Sequence, residues 1–494
     1  MNNLAILEAV KSALGGNPAD FLRKDWNQPS SAIQGINYYD LEAPAMQLYP
    51  VIQPLRNRIA RAKARGGIPA NWRAVTGINI NGTRPGVSQG NRGAAIQTTV
   101  QNYTAAFAAL GLEDFVTFEA DLAAEGFQDV KALAVEGLLR SVMISEEQVL
   151  LGGNASLALG TTGTPSVTGS TTGGTLATQT LSVICVALTL DGYQNASIAG
   201  GVPAVITKTN TDGSVDTIGG GSAQKSANGT ASITGPTGSA TATVALKTGA
   251  VAYAWFWGTA GSELLGAITT INSVLITATA TGTQTAASMP SSDNSKNLLV
   301  FDGILTQVFN STYGGYLQQQ ATGTAGTGTP LTSDGAGGIV EMDADLKYFW
   351  DALRLSPTDI YMSSQEMQNI GKKILAGNST AAQRFVFQYT DQGVLAGGIM
   401  VRSYLNKFAM NGAVEIPIHL HPNVPPGTIM YYTDKLPYPL SNVSQVLRVL
   451  ARREYYQIEW PLRTRKYEYG VYCDEVLQNY FPPAFGVRTN IGNG

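Results

Sequence analysis

Between Ala155 and Pro290 the sequence holds only seven charged residues: Asp191, Lys208, Asp212, Asp216, Lys225, Lys247 and Glu263. Thr, Ser, Gly and Ala dominate this block. Within it "LSVICVALTLDGYQNAS" alternates Leu181, Val183, Cys185 and Ala187, and "VAYAWFWGTAGSELLGAITT" alternates Val251, Tyr253, Trp255 and Trp257. Period-2 patterning with turn signals about every ten residues predicts a β-sandwich. "TGGTL" before it and "TAAS" after it read as linkers, so residues 163–288 are expected to be an inserted all-β domain.

Helical patterns lie on both sides of the block. Residues 127–151 carry an apolar ladder of Val130, Ala134, Leu138 and Val142, broadened by Val135 and Leu139. Asp129, Glu136, Arg140 and Glu147 are expected on a solvated face, with Glu136 and Arg140 an i,i+4 pair worth roughly 0.3 kcal/mol. Gly152 and Gly153 stop the helix, which spans about 37 Å at 1.5 Å per residue. Downstream, "MDADLKYFWDALRLSP" predicts a helix capped by Asp343, with Leu346, Phe349, Trp350 and Leu353 as its apolar stripe. The "TDIYMSS" stretch reads as a strand. "SQEMQNIGKKILAG" reads as a second helix, capped by Ser363 or Ser364 and ended by Gly377. From residue 412 onward the pattern returns to strands.

The amino-terminal part looks different. "MNNLAILEAVKSALGG" has apolar residues at helical spacing, and Glu8 and Lys11 interrupt it, so it is expected to be a short amphipathic helix rather than a secretory leader. Residues 15–54 are proline-rich and aperiodic, which suggests an extended arm. Arg56, Arg58, Arg61, Lys63 and Arg65 follow as a dense basic run. Extended stretches on either side of "GTRPGVSQGNRG" then predict a long, poorly buried β-hairpin.

Composition narrows the function. With 32 basic and 35 acidic residues the net charge is −3, so the chain as a whole is no basic nucleic-acid binder. The two cysteines, Cys185 and Cys473, lie far apart, which favours a reducing compartment at synthesis. No window of about 18 uncharged apolar residues predicts a membrane span. No catalytic constellation is legible: the one G-x-S-x-G match, Gly86–Gly90, falls inside the turn-rich "GTRPGVSQGNRG" rather than at a strand-to-helix elbow, and there is no phosphate loop. The only histidines, His419 and His421, sit at i and i+2 of "IHLHPN" without acidic or thiol partners nearby, and a strand-and-turn role is expected of them. Glu146 and Glu147 read as part of a solvated helix face. No enzyme, cofactor or metal centre is expected.

"EWPLRTRKYEYGVY", from Glu459 to Tyr472, concentrates the residue types of interface cores. Tyr456, Ile458, Trp460 and Leu462 are expected on one side of a strand. Gln457, Glu459, Arg463 and Arg465 are expected on the other, where guanidinium groups suit carboxylate partners. Tyr467 and Tyr469 continue it.

The order of these parts resembles the major capsid proteins of tailed bacteriophages, with the Hong Kong phage-type shell fold. The resemblance is carried by "VEGLLRSVMISEEQVLLGGN" (135–154), "FDGILTQ" (301–307), "LRLSPTDIYMSSQEMQNI" (353–370), "PPGTIMYYTDKLPYP" (425–439) and the strands of 453–491. It implies an α+β fold with an N-terminal arm (1–54), an extension loop (55–118) and a spine helix of the peripheral domain (119–162). The immunoglobulin- or fibronectin-like insertion (163–288), an axial domain (289–411) and return strands (412–494) complete it. It also implies self-assembly into pentamers and hexamers of an icosahedral shell that encloses double-stranded DNA with weak contact. Portal and scaffolding proteins are implied partners, and a decoration protein a further one, with assembly in the host bacterial cytoplasm and no membrane. The candidate intersubunit contacts are Arg56, Arg58, Arg61, Arg73, Arg84, Arg463, Arg465, Tyr467 and Tyr469. A bacterial nanocompartment shell, a β-rich adhesin and a hydrolase with a carbohydrate-binding module are the alternatives.

Overall fold

The computed structural model describes residues 52–78, 86–93, 95–125, 128–210, 213–376, 389–390, 393–394, 401–410, 412–439 and 441–494. The amino-terminal helix and arm expected before residue 52, Arg84 and Gly377 lie outside them. The protein is of mixed α+β class, and its chain divides into two units: residues 1–50 with 116–133, and residues 51–115 with 134–494. In the first unit, a short helix (Phe118–Ala123) is capped by Thr117, whose hydroxyl accepts from Ala120 N–H at 3.3 Å, and Lys131 pairs with Asp121 at 2.7 Å.

The long helix runs Val130–Gly152, about 35 Å for its 23 residues. Of the apolar ladder Leu138 and Val142 are buried and Val130, Ala134, Val135 and Leu139 half-buried; beyond it Leu150 and Leu151 are buried. Its glycine ending has a different cause from the one expected. Neither Gly152 nor Gly153 takes a left-handed backbone. A Cβ on Gly152 would lie 2.3 Å from the Leu190 side chain, and one on Gly153 would lie 2.4 Å from the Phe301 carbonyl. The glycines are there for close approach of chain to chain.

The carboxy-terminal region builds two sheets. The first orders Ala60–Lys63, Leu447–Glu459, Lys466–Asn479 and Ala108–Thr117. Ala60–Lys63 lies parallel to its neighbour, with Ala60 opposite Arg448 and Lys63 opposite Ala451. The long antiparallel pair turns between Glu459 and Lys466, so Trp460 to Arg465 form an exposed turn rather than the continuing strand expected. The second sheet has six strands, in the order Tyr316–Gln319, Gly486–Thr489, Ile429–Tyr432, Asp359–Met362, Val414–Leu420 and Ser403–Asn406.

Two helices, Val340–Leu353 and Ser364–Ala376, belong with this second sheet. The first starts at Val340 with Ile339 as its N-cap residue, four residues before the cap read at Asp343, and ends on Arg354 in the left-handed region. The second is capped by Ser363, whose hydroxyl accepts from Glu366 N–H at 3.4 Å. Phe349 from the first helix packs edge-on against Tyr431 at 5.8 Å. Beside it Asp345 is fully buried and fully satisfied. It accepts from the Tyr316 hydroxyl at 2.9 Å, the Tyr431 hydroxyl at 2.9 Å and Arg488 Nε at 2.7 Å.

The charge-poor block folds into a four-stranded sheet, ordered Leu264–Thr269, Ala252–Gly258, Gln179–Leu188 and Gly229–Ile233, and a three-stranded sheet, ordered Ser273–Ile276, Ser239–Thr243 and Ser166–Ser170. Leu181, Val183, Cys185 and Ala187 share one core with Tyr253, Trp255 and Trp257 and with Ala240, Ala242, Val274 and Ile276 of the smaller sheet. The alternate residues of the same strands, Val186, Leu188, Ala252, Ala254 and Phe256, belong to the main core together with Leu150, Leu305 and Phe349. The two central strands of this sheet, Ala252–Gly258 and Gln179–Leu188, are therefore buried on both faces. The flanks read as linkers are also part of the packing: Leu176 and Ala286 are buried, Leu176 N–H donates to Gly238 O at 3.0 Å, and Ala286 N–H donates to Glu263 O at 2.8 Å.

Replacing Asp345 with Ala strands a buried guanidinium and two buried hydroxyls. We expect urea unfolding to show a loss of about 3–5 kcal/mol, the usual cost of breaking a buried ion pair on one side.

Candidate functional site

Residues 54–63 anchor the root of an exposed two-stranded ribbon. Pro54–Arg58 is a single helical turn whose N-cap residue, Gln53, makes no side-chain cap. Its first amides are satisfied from elsewhere: Leu55 N–H donates to Glu147 Oε1 at 3.0 Å and Arg56 N–H to Glu147 Oε2 at 2.7 Å. A carboxylate from the long helix thus does the work a local Ser or Asp would do. The Glu147 Oε1 atom also meets His421 Nε2 at 2.7 Å, and His421 Nδ1 accepts from Asn423 N–H at 3.1 Å. With Nδ1 accepting, the proton of a neutral imidazole sits on Nε2 and is donated to Glu147.

Glu146, one residue before, is the second hub. It accepts from Arg56 Nε at 3.0 Å, from Arg61 Nη1 and from the Tyr455 hydroxyl. Arg61 spans onward through Nη2 to Glu475 on the return strand. Glu146, Glu147 and Glu475 have no solvent exposure, which corrects the solvated face read for the first two. Burial, then the Glu146 carboxylate, raise the Glu475 acid to about 8, against the opposing charge of Arg61. Burial acts to lower the Arg61 guanidinium, but the Glu146 and Glu475 carboxylates outweigh it and Arg61 is held above its usual range.

Arg56 and Arg61, expected at an intersubunit contact, are thus engaged inside the chain. Arg58 is partly exposed and reaches Asp359 at 3.0 Å, whose other oxygen meets His419 Nε2 at 2.9 Å. Both histidines therefore have carboxylate partners that are distant in sequence. Among the described residues no group of three His, Cys, Asp or Glu is placed to hold a metal ion. Among them, too, no helix is long and apolar enough to cross a membrane.

Beyond this anchor the chain makes a two-stranded antiparallel ribbon, Pro69–Ile78 with Thr98–Ala106. Trp72, near its base, stacks on Tyr103 at 5.8 Å and donates Nε1–H to Asn479 O at 2.9 Å. Further out the apolar side chains are bare: Val75 and Val100 face each other across the ribbon at 61% and 47% exposure, and Ile78 is 67% exposed. Arg73 and Arg92 are exposed on the same excursion, and no Asp or Glu occurs from Ala43 to Leu112. On the return hairpin Arg463 and Arg465 are exposed beside Trp460 and Leu462, Tyr467 is half-buried and Tyr469 is buried. The structure thus leaves Arg73, Arg463 and Arg465 at the surface and takes Tyr469 into the interior. The apolar outer part of the ribbon was legible only as a polar hairpin.

No family model and no curated protein matches the chain. Solved structures align over most of its length at low identity. The capsid asymmetric unit of cyanophage A-1(L) is 10% identical, with 93% of this chain and 97% of that one covered and a TM-score of 0.43. The capsid of cyanophage P-SCSP1u is 8% identical, with 95% and 99% covered and a TM-score of 0.40. The holo-SrpI encapsulin complex of Synechococcus elongatus is 9% identical, with 91% and 93% covered and a TM-score of 0.35. At these identities and TM-scores none of them is identified as a relative.

Replacing Glu147 with Ala removes the cap of the 54–58 turn and leaves His421 Nε2–H buried without an acceptor. The lost cap and the stranded donor together cost at least about 2 kcal/mol, read as a lower midpoint in urea unfolding.

Proposed function

We propose that this chain is the shell-forming subunit of a tailed-phage head, built on the Hong Kong phage-type plan, and that it acts by self-association rather than catalysis. The observation that carries this reading is the ribbon Pro69–Ile78/Thr98–Ala106. It has only two strands, and Val75, Ile78 and Val100 stand bare on it. An isolated two-stranded hairpin is marginal in water, and exposed apolar side chains in a row mark a surface meant for a partner. A second copy of the same chain supplies that partner at no genetic cost, and closed symmetry lets every copy bury its ribbon.

In this reading residues 1–54 are an arm and 55–118 an extension loop. Residues 119–162 carry the spine helix, 163–288 the immunoglobulin-like insertion, 289–411 the axial domain and 412–494 the return strands. Arg73, Arg463 and Arg465 meet carboxylates of neighbouring copies, joined by Arg84 and the half-buried Tyr467. Copies close into pentamers and hexamers around double-stranded DNA. The low net charge suits a wall that contains the duplex without gripping it, since strong phosphate binding needs a clustered basic face. Portal and scaffolding proteins are the expected further partners, and assembly takes place in the host cytoplasm.

Expression of the full chain followed by negative-stain imaging and sedimentation tests the reading. Closed uniform particles, or rings of five and six, are expected; a monodisperse monomer at high concentration overturns it. A Val75→Asp/Val100→Asp double variant places two carboxylates opposite each other on the exposed ribbon. Its circular dichroism should match the parent, while sedimentation shifts from large particles to small species.

A further inference from the structure

The anchor of the ribbon has a charge imbalance that its hydrogen bonds do not remove. Glu146, Glu147 and Glu475 bring three carboxyl groups, Arg56 and Arg61 bring two cations, and His421 is neutral by its hydrogen bonding. One negative charge is left over in a cluster whose acids are all fully buried. A buried excess charge is costly, and the cheapest remedy is a proton. The place for it is visible. Glu475 Oε1 is buried without a hydrogen-bond partner, and Glu146, held on the neighbouring nitrogen of the same Arg61 guanidinium, is the carboxyl facing Glu475. With a proton on it, that oxygen becomes a donor to Glu146.

We propose that Glu475 and Glu146 share one proton, and that this proton is a clasp fastening residues 55–63, the root of the exposed ribbon, to the long helix and the return strand. The groups facing Glu475 come from every element around it. Arg61 on the Ala60–Lys63 strand and Glu146 on the long helix act on it directly, while Arg56 on the 54–58 turn and Tyr455 on the Leu447–Glu459 strand hold Glu146, and Glu147 follows Glu146 on the helix. Cys473 lies on its own strand, and burial pushes that thiol well up, so it stays neutral. Arg61 alone bridges both acids and Arg56 pairs only with Glu146, so removing the proton leaves three buried carboxylates, with Glu147, against two guanidinium groups.

The sign follows from where each state releases the proton. Unfolded, the Glu475 acid titrates near 4.5; folded, it holds its proton up to about 8. The folded state binds the proton more tightly, so the stabilisation is complete below about 4.5 and is lost as pH rises from there through about 8. The root of the ribbon should therefore loosen progressively as pH rises from about 4.5 to about 8, while the six-stranded sheet, whose Asp345 is fully paired, does not. This holds whatever the chain assembles into.

Hydrogen exchange on the full chain tests it, corrected for the intrinsic pH dependence of exchange. Two reporters are available: Ile59 N–H, which donates to Leu55 O at 2.8 Å, and Ala64 N–H, which donates to Ala451 O at 2.8 Å. Between pH 6 and pH 9 their opening should increase roughly tenfold or more relative to amides of the Ile429–Tyr432 strand. Glu475→Gln, neutral at every pH, should abolish that dependence. An unchanged ratio in the parent chain overturns the clasp, and so does a Glu475→Gln chain that loosens with pH as the parent does. If that variant does not fold, the parent ratio alone decides.

Discussion

Two adjacent carboxylates on one helix, Glu146 and Glu147, hold together parts of the chain that are otherwise remote. Glu147 caps a turn 91 residues earlier in the sequence and takes the proton of an imidazole 274 residues later. Glu146 gathers two arginines and a tyrosine from three other segments. Such an arrangement is expensive to bury and brings little net stability over an apolar core. What it provides is register: a planar guanidinium held between two carboxylates through Nη1 and Nη2 fits one relative placement of the long helix, the return strand and residues 55–63. The ribbon that follows residues 55–63 is aimed by that placement.

The charge-poor block illustrates a different economy. A strand such as "AYAWFWG" is apolar at every position, which is what burial on both sides of a sheet requires. One set of residues fills the sandwich and the other joins the main core, so a single sheet serves two interiors. Low charge follows directly, since little of those strands meets water. The Thr- and Ser-rich strand Ser166–Ser170, on the outer sheet, is the part that does.

Much of the fold could be read from the residues. The long helix, the helix–strand–helix unit around Asp359–Met362 and the alternation of Leu181 to Ala187 rest on local periodicity, which a sequence displays directly. The exposed ribbon was also legible, from its turn-rich middle. What stayed hidden depends on pairings across hundreds of residues. Nothing local distinguishes a buried Glu146 from a solvated one; the distinction lies in Arg56, Arg61 and Tyr455 arriving together. His419 and His421 looked unpartnered because Asp359 and Glu147 are far off in sequence. The double glycine at 152–153 was visible, but its reason, the nearness of Leu190 and Phe301, was not. Trp460 to Arg465 kept a strand-like alternation although the chain turns there, because a proline and two isolated arginines mark a turn only weakly.

The sheet shared between two interiors also limits how such a protein can diversify. A module hung on flexible tethers can be traded for another without cost to its host. One whose central sheet is half of the host's own interior cannot, because its removal would uncover Leu150, Leu305 and their neighbours. Novelty in this block is therefore confined to its rim. The projecting hairpin Val205–Thr209/Val215–Gly219 is the natural place, because its strands pair only with each other and its outer side chains lie in solvent. Sequence drift, grafted peptides and displayed cargo should all be tolerated there first.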